Sequence, residues 1–160
     1  METNSANHVL ATEIRRVHYS DILGAPNAAV LLSEYAAECC LPEIGEPSPQ
    51  GKMYAAMEDS GMLSVFGAFQ WQELIGFAAL LVYVLPHYGL KIATVESIFV
   101  ARQHRSSAGR ALMKTIEQHA RELGCVAILY NAPAGSQLET LLALLKPYRR
   151  TNSVFCRSLN

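Results

Sequence analysis

Residues 94–116 read TVESIFVARQHRSSAGRALMKTI: an apolar strand with one carboxylate, a short basic loop of serines and a glycine, and the opening turns of an amphipathic helix. A helix begins with backbone N–H groups that lack an intrahelical acceptor and with the positive end of its dipole, so a strand feeding straight into one makes an anion site. Arg102, Arg105 and Arg110 add positive charge at that junction. Further along, Ala108, Ala111, Leu112, Ile116, Ala120 and Leu123 form an apolar stripe opposite Lys114, Glu117, Gln118 and Arg121, and Gly124 stops the helix. His119 lies on the stripe and reads as a packed, hydrogen-bonded residue. The next segment, CVAILYN, reads as a buried strand, which makes a parallel strand–helix–strand crossover. Ligands of open α/β sheets bind where such strands end.

Working outward, MLSVFGAFQ, ELIGFAALLVYVLP and KIATVESIFV are rich in β-branched and aromatic residues, and the short joins WQ and HYGL predict antiparallel hairpins. The long apolar middle segment belongs inside the sheet. Upstream, ATEIRRVHY predicts a strand, and helices are expected over 27–40 and about 49–59, separated by the structure-breaking LPEIGEPSP. Downstream, GSQLETLLALL predicts a short helix, and YRRT with SVFCRSL a final hairpin around Asn152. The expected fold is therefore an α/β mixture: a mostly antiparallel sheet of about seven strands flanked by four helices. Residues 1–10 are expected to form a flexible start, with residues 11–160 as one domain.

The composition allows a packed core: 51% of the 160 residues are hydrophobic and 17% charged. A net charge of −1 gives no general pull toward nucleic acid or membrane. The longest apolar run, 74–86, is shorter than the roughly 20 residues of a membrane-spanning helix. METNSANHVL also lacks a basic-then-apolar signal pattern, so a cytoplasmic protein is expected. Cys39, Cys40, Cys125 and Cys156 show no paired metal spacing and read as reduced thiols in buried packing roles, and no metal is expected. The patterns of serine hydrolases, P-loop proteins and dinucleotide binders are missing.

The element order, with VESIFVARQHRSSAGRALM followed by ILYNAPAGSQLETLLALLKPYRRT, resembles the GCN5-related N-acetyltransferase family, and most closely its compact members from bacteriophages and prophages. The resemblance implies a splayed cofactor cleft, acetyl-CoA as cofactor and transfer of its acetyl group to a primary amine of a small molecule or peptide. Carried over by position, the backbone of Ile98, Phe99 and Val100 would meet pantetheine. Arg105, Ser106, Ser107, Ala108, Gly109 and Arg110 would hold the pyrophosphate, and Asn131 would face them across the cleft. The family loop runs Arg or Gln, two residues, Gly, one residue, then Gly or Ala. Counting from Arg105 puts Ala108 and Arg110 at the two small positions, and counting from His104 puts Ser107 and Gly109 there, so one glycine is missing in either frame.

Glu96 is the candidate general base, expected to share a strand face with Ile98 and Val100 among apolar neighbours, where desolvation favours base chemistry. The family's usual tyrosine acid falls at Ala143, which leaves Tyr130 and Tyr148 as substitutes. Tyr35, His87 and Tyr88 are candidates for the acceptor site, and Tyr35, Glu38 and Tyr54 lie on or near the early helices that border it in the family. The rival reading is a CoA-binding or protein-binding module that keeps the fold without catalysis. SVFCRSL leaves a homodimer open.

Overall fold

The computed structural model describes residues 11–159. The chain runs β1 (Glu13–Val17), α1 (Tyr19–Leu23), α2 (Ala28–Cys39), α3 (Gly51–Asp59), β2 (Leu63–Gln70), β3 (Glu73–Leu85) and β4 (Leu90–Val100). A 3₁₀ turn (Arg102–His104) leads into α4 (Arg105–Glu122), β5 (Ile128–Tyr130) and α5 (Gln137–Leu144). The strands form one sheet in chain order, antiparallel from β1 to β4, with β5 added parallel to β4. Parallel pairing follows from the α4 crossover, because a strand that returns through a helix re-enters the sheet in the same direction.

Two cores cover the sheet. On one face Leu112, Ile116 and Ala108 of α4, all fully buried, pack on Phe66, Ala78, Leu80, Ala93 and Val95. On the other, Tyr19 and Ile22 of α1 and Leu31 of α2 pack on Val65, Phe77, Ala79 and Phe99. The apolar run of β3 is buried from Leu74 to Leu80 because both layers press on it, as its composition predicts. Deleting the Leu112 side chain would cost about 2–5 kcal/mol. Gly76 has no room for a side chain: a Cβ there would stand 2.6 Å from the Phe99 carbonyl oxygen. That crowding is what a close, non-hydrogen-bonded pair of facing residues produces, here Gly76 and Val100.

The expected hairpin joins are present. Gln70 faces Glu73 around Trp71 and Gln72, and Leu85 faces Leu90 around a turn ending at Gly89. Several expectations need correction. Among the described residues the sheet has five strands, not seven, and there are five α-helices, not four. The final hairpin is replaced by residues 149–159 in irregular, exposed conformation. With Val154, Phe155 and Leu159 all about nine-tenths exposed, that segment buries no face that would pay for strand order. The extra helix, α1, begins where β1 was expected to continue, because the Asp21 carboxylate accepts the His18 amide at 2.8 Å and caps a turn. All four cysteines are free, but Cys40 and Cys156 are exposed and have no buried packing role. The flexible start expected over residues 1–10 lies outside the described residues.

Candidate active site

The pairing of β4 with β5 covers three positions, Ala93 with Ile128, Thr94 with Leu129 and Val95 with Tyr130, and then stops while β4 runs on to Val100. The last stretch of β4 therefore has a free edge. Which backbone groups line it follows from alternation. The Ala101 amide donates to Ile75 of β3 at 2.9 Å, so Phe99 and Ala101 spend their backbone groups on β3, and Ile98 and Val100 turn theirs toward the opening. The Val100 carbonyl on that edge is taken by Arg105 Nε at 2.8 Å. The Ile98 amide and carbonyl and the Val100 amide remain. Phe99, expected to meet the cofactor through its backbone, contributes its ring to the core beneath instead.

A register shift lies next to this opening. Ala79 faces Ser97 but Leu80 faces Val95, so Glu96 is the extra residue of a β-bulge. The bulge resets the alternation: Ile98 and Val100 belong to the α4 face, whereas Glu96 reaches Tyr54 on the α3 side. The expectation that Glu96 shares a face with Ile98 and Val100 among apolar neighbours is thus corrected. Its residue is exposed, which removes the desolvation expected for it. The Tyr54 hydroxyl donates to Glu96 Oε1 at 3.0 Å, and among the described residues no cation pairs with this carboxylate. Tyr54 stacks on Tyr19 with ring centroids 3.7 Å apart and planes 4° from parallel. Burial, and next to it the charge of Glu96, raises both the Tyr54 and the Tyr35 phenol above the ordinary tyrosine value. Ser97, on the same side as Glu96, keeps a buried hydroxyl without a protein partner.

Below the opening, α4 starts at Arg105, so the expected loop is mostly a first helical turn. The N-cap of that helix, His104, makes no capping hydrogen bond. Ser107 and Arg110 are exposed there, and a Cβ on Gly109 would meet nothing within 4 Å. Ala108 is fully buried in the α4 core, so its smallness serves the packing of helix on sheet. Arg105 is committed elsewhere. Its guanidinium donates to Gln137 Oε1 (2.9 Å) and to both oxygens of Glu38 (2.9 and 2.8 Å), tying α4 to α5 and α2. Burial tends to raise the Glu38 carboxyl, but hydrogen bonds and charge from Arg102 and Arg105 outweigh it and hold Glu38 below the ordinary carboxylate value.

The two tyrosines expected as acids both donate to one acceptor, Glu117 Oε1, Tyr130 at 2.9 Å and Tyr148 at 2.5 Å. Burial, then the bond to Glu117, pushes the Tyr148 phenol up to about 12, and burial followed by the Glu117 charge raises Tyr130 further. Asn131 is exposed just past β5. Tyr35 packs edge-on against Phe77 and Phe99 at 5.4 and 5.8 Å, close enough to the bulge to feel Glu96. His87 and Tyr88 sit in the exposed β3–β4 turn, about 25 Å along the strand from Glu96 at the usual rise per residue. The structure does not bring them to the opening. No sequence pattern points to Tyr19 or Glu117 as a site residue. Their roles depend on contacts between elements distant in sequence, which leave no local pattern.

The sheet parts between two parallel strands, with the Ile98 and Val100 amides turned to the gap and the start of α4 below it. The chain belongs to the Acetyltransferase (GNAT) family, whose model matches residues 32–137, more than half of its length. Enzymes of this family take their acetyl group from acetyl-CoA, and the chain is an acetyltransferase of that family. Solved structures share the fold. A ribosomal-protein-alanine N-acetyltransferase from Brucella melitensis biovar Abortus 2308 is 22% identical, with 92% of this chain and 99% of that one covered at a TM-score of 0.68. The aminoglycoside acetyltransferase meta-AAC0020, from an uncultured soil metagenomic sample, is 16% identical over 93% and 97% at 0.69. AAC(6')-Iy in complex with a bisubstrate analog of CoA and acetylneamine is 15% identical over 92% and 97% at 0.65. A comparison with curated proteins gives no significant match.

The free edge fits this cofactor. An extended chain of amides can pair with the Ile98 and Val100 backbone groups as a further strand would, and a diphosphate suits the uncapped N–H groups of α4.

Proposed function

We propose that this enzyme transfers an acetyl group from acetyl-CoA to a primary amine of a small molecule or peptide by direct attack, with Glu96 as general base. The observation that carries the reading is the bulge: it sets one carboxylate, unpaired with any cation among the described residues, beside the point where β4 and β5 part. Structural relatives named as aminoglycoside and ribosomal-protein-alanine acetyltransferases fit an amine acceptor.

Acetyl-CoA supplies a thioester, an acyl group already activated toward amines. The chain supplies the rest. The backbone of Ile98 and Val100 orients the cofactor's amide arm along the β4 edge, and Asn131 faces it from the end of β5. The first turn of α4, from Arg105 to Ala108 with Gly109 just beyond it, holds the diphosphate with help from the Arg110 charge. An ammonium has no lone pair with which to attack a carbonyl, so Glu96 accepts its proton, directly or through one water, and the free amine then forms the C–N bond. A thiolate leaves without much assistance. That suits a site in which Tyr130 and Tyr148 direct their protons to Glu117.

The test is thiol release from acetyl-CoA across a panel of amines and peptides, with wild type and Glu96→Gln. The variant should lose roughly 100-fold or more in kcat with the best acceptor, the range of a general base. Its acetyl-CoA affinity by calorimetry should be unchanged. Equal kcat for the two proteins would remove Glu96 from the mechanism.

A further inference from the structure

The neighbourhood of Glu96 contains a residue whose work the base alone does not explain. A glutamate on an exposed bulge has three rotatable side-chain bonds, and ordering it for proton transfer costs rotamer entropy. Tyr54 removes much of that freedom, because its hydroxyl fixes Oε1 at 3.0 Å and leaves the second oxygen to meet an amine. The tyrosine is itself held. Its ring lies flat on Tyr19, which is buried, and the Tyr19 amide donates to both oxygens of Glu58 at 3.2 Å. Glu58 stands four residues after Tyr54 on α3, on the same side of the helix, so stack and hydrogen bonds lock α1 and α3 into one unit. A rigid support behind a mobile carboxylate is what accurate proton transfer requires.

We propose that Tyr54 is a positioning residue that aims Glu96 at the acceptor amine, so that the α1–α3 unit sets the orientation of a base carried by β4. This rests on the reading of Glu96 as the base. The bond balance is simple: the Tyr54 O–H stays intact throughout, and the amine's proton goes to the other carboxylate oxygen.

A double-mutant cycle tests it, with kcat measured for wild type, Tyr54→Phe, Glu96→Gln and the double variant at enzyme concentrations that make the slow variants readable. Phenylalanine keeps the stack on Tyr19 and removes only the hydroxyl. Tyr54→Phe should lose roughly 10- to 100-fold in kcat, as expected for one hydrogen bond to a charged group. Its melting midpoint and acetyl-CoA affinity should match wild type. In the Glu96→Gln background the same change should alter kcat by no more than about twofold, because there is no base left to aim. Wild-type kcat in Tyr54→Phe, or the same fold loss in both backgrounds, would overturn the assignment. If Glu96→Gln itself matched wild type, the base reading would fall and take this inference with it. If Glu96→Gln is impaired and Tyr54→Phe is not, only the inference falls.

Discussion

Glu96 sits where it does because one residue of β4 has no counterpart on β3, and that displacement decides which helix layer the carboxylate meets. Strain of another kind is found at the β2–β3 turn, where Trp71 and Gln72 adopt φ of 48° and 69°. Two positive angles in a two-residue hairpin favour Asn-Gly, and neither residue present is suited to them. Replacing Trp71-Gln72 by Asn-Gly should add roughly 1 kcal/mol, read as a rise of about 2–4 °C in melting midpoint. No gain would mean the strain is compensated elsewhere. His119, expected to be packed, hydrogen-bonds Ser64 at 2.9 Å and lies edge-on to Phe66. Burial first, and the Arg16 charge after it, lower its pKa from the ordinary 6.5. The unfolded chain therefore binds a proton more readily than the native one, and this contribution to stability is lost as pH falls through 6.5 and below. His119→Gln should flatten the dependence of melting midpoint on pH between about 6.5 and 5. A slope equal to wild type would locate the dependence in other groups.

At the scale of elements, α4 carries the cofactor reading, and its first turn shows where local patterns inform and where they mislead. The amphipathic stripe was legible because periodicity alone fixes it, and Ala108, Leu112 and Ile116 are buried accordingly. The three arginines looked alike in sequence. Only the tertiary contacts distinguish Arg105, spent on Glu38 and Gln137, from the exposed Arg110. Gly109 gives a direct test of the anion site. It lies inside the helix with open space around it, so Gly109→Ala should stabilise the fold by roughly 0.5–1 kcal/mol. If a phosphate approaches the backbone there, the same methyl should weaken acetyl-CoA binding about tenfold, or 1.4 kcal/mol. A stabler protein with unchanged affinity would move the diphosphate away from this turn. The bulge, by contrast, was not legible: VESIFV alternates as an ordinary strand, and the skipped pair depends on register against β3.

For the molecule as a whole, the order of elements and the crossover followed from hydrophobic period and turn residues, whereas the strand count did not. SVFCRSL has the composition of a strand, yet strand order requires a neighbouring strand and a covered face, and residues 149–159 are exposed and join no strand of the described sheet. The β1 segment likewise gave up its last residues to α1 through one short-range bond from His18 to Asp21. What the assembled fold adds is the gap itself, created where β5 leaves β4 after Tyr130. No helix among the described residues is long and apolar enough to cross a membrane. If acetyl-CoA lies in that gap on main-chain donors, amide hydrogen exchange with and without acetyl-CoA will report those donors one by one. Protection should appear at Ile98, Val100 and the first turn of α4, with little change at Phe99, already bonded to β3. Saturating acetyl-CoA that leaves those amides exchanging as before, or protects another edge of the sheet, would contradict the account.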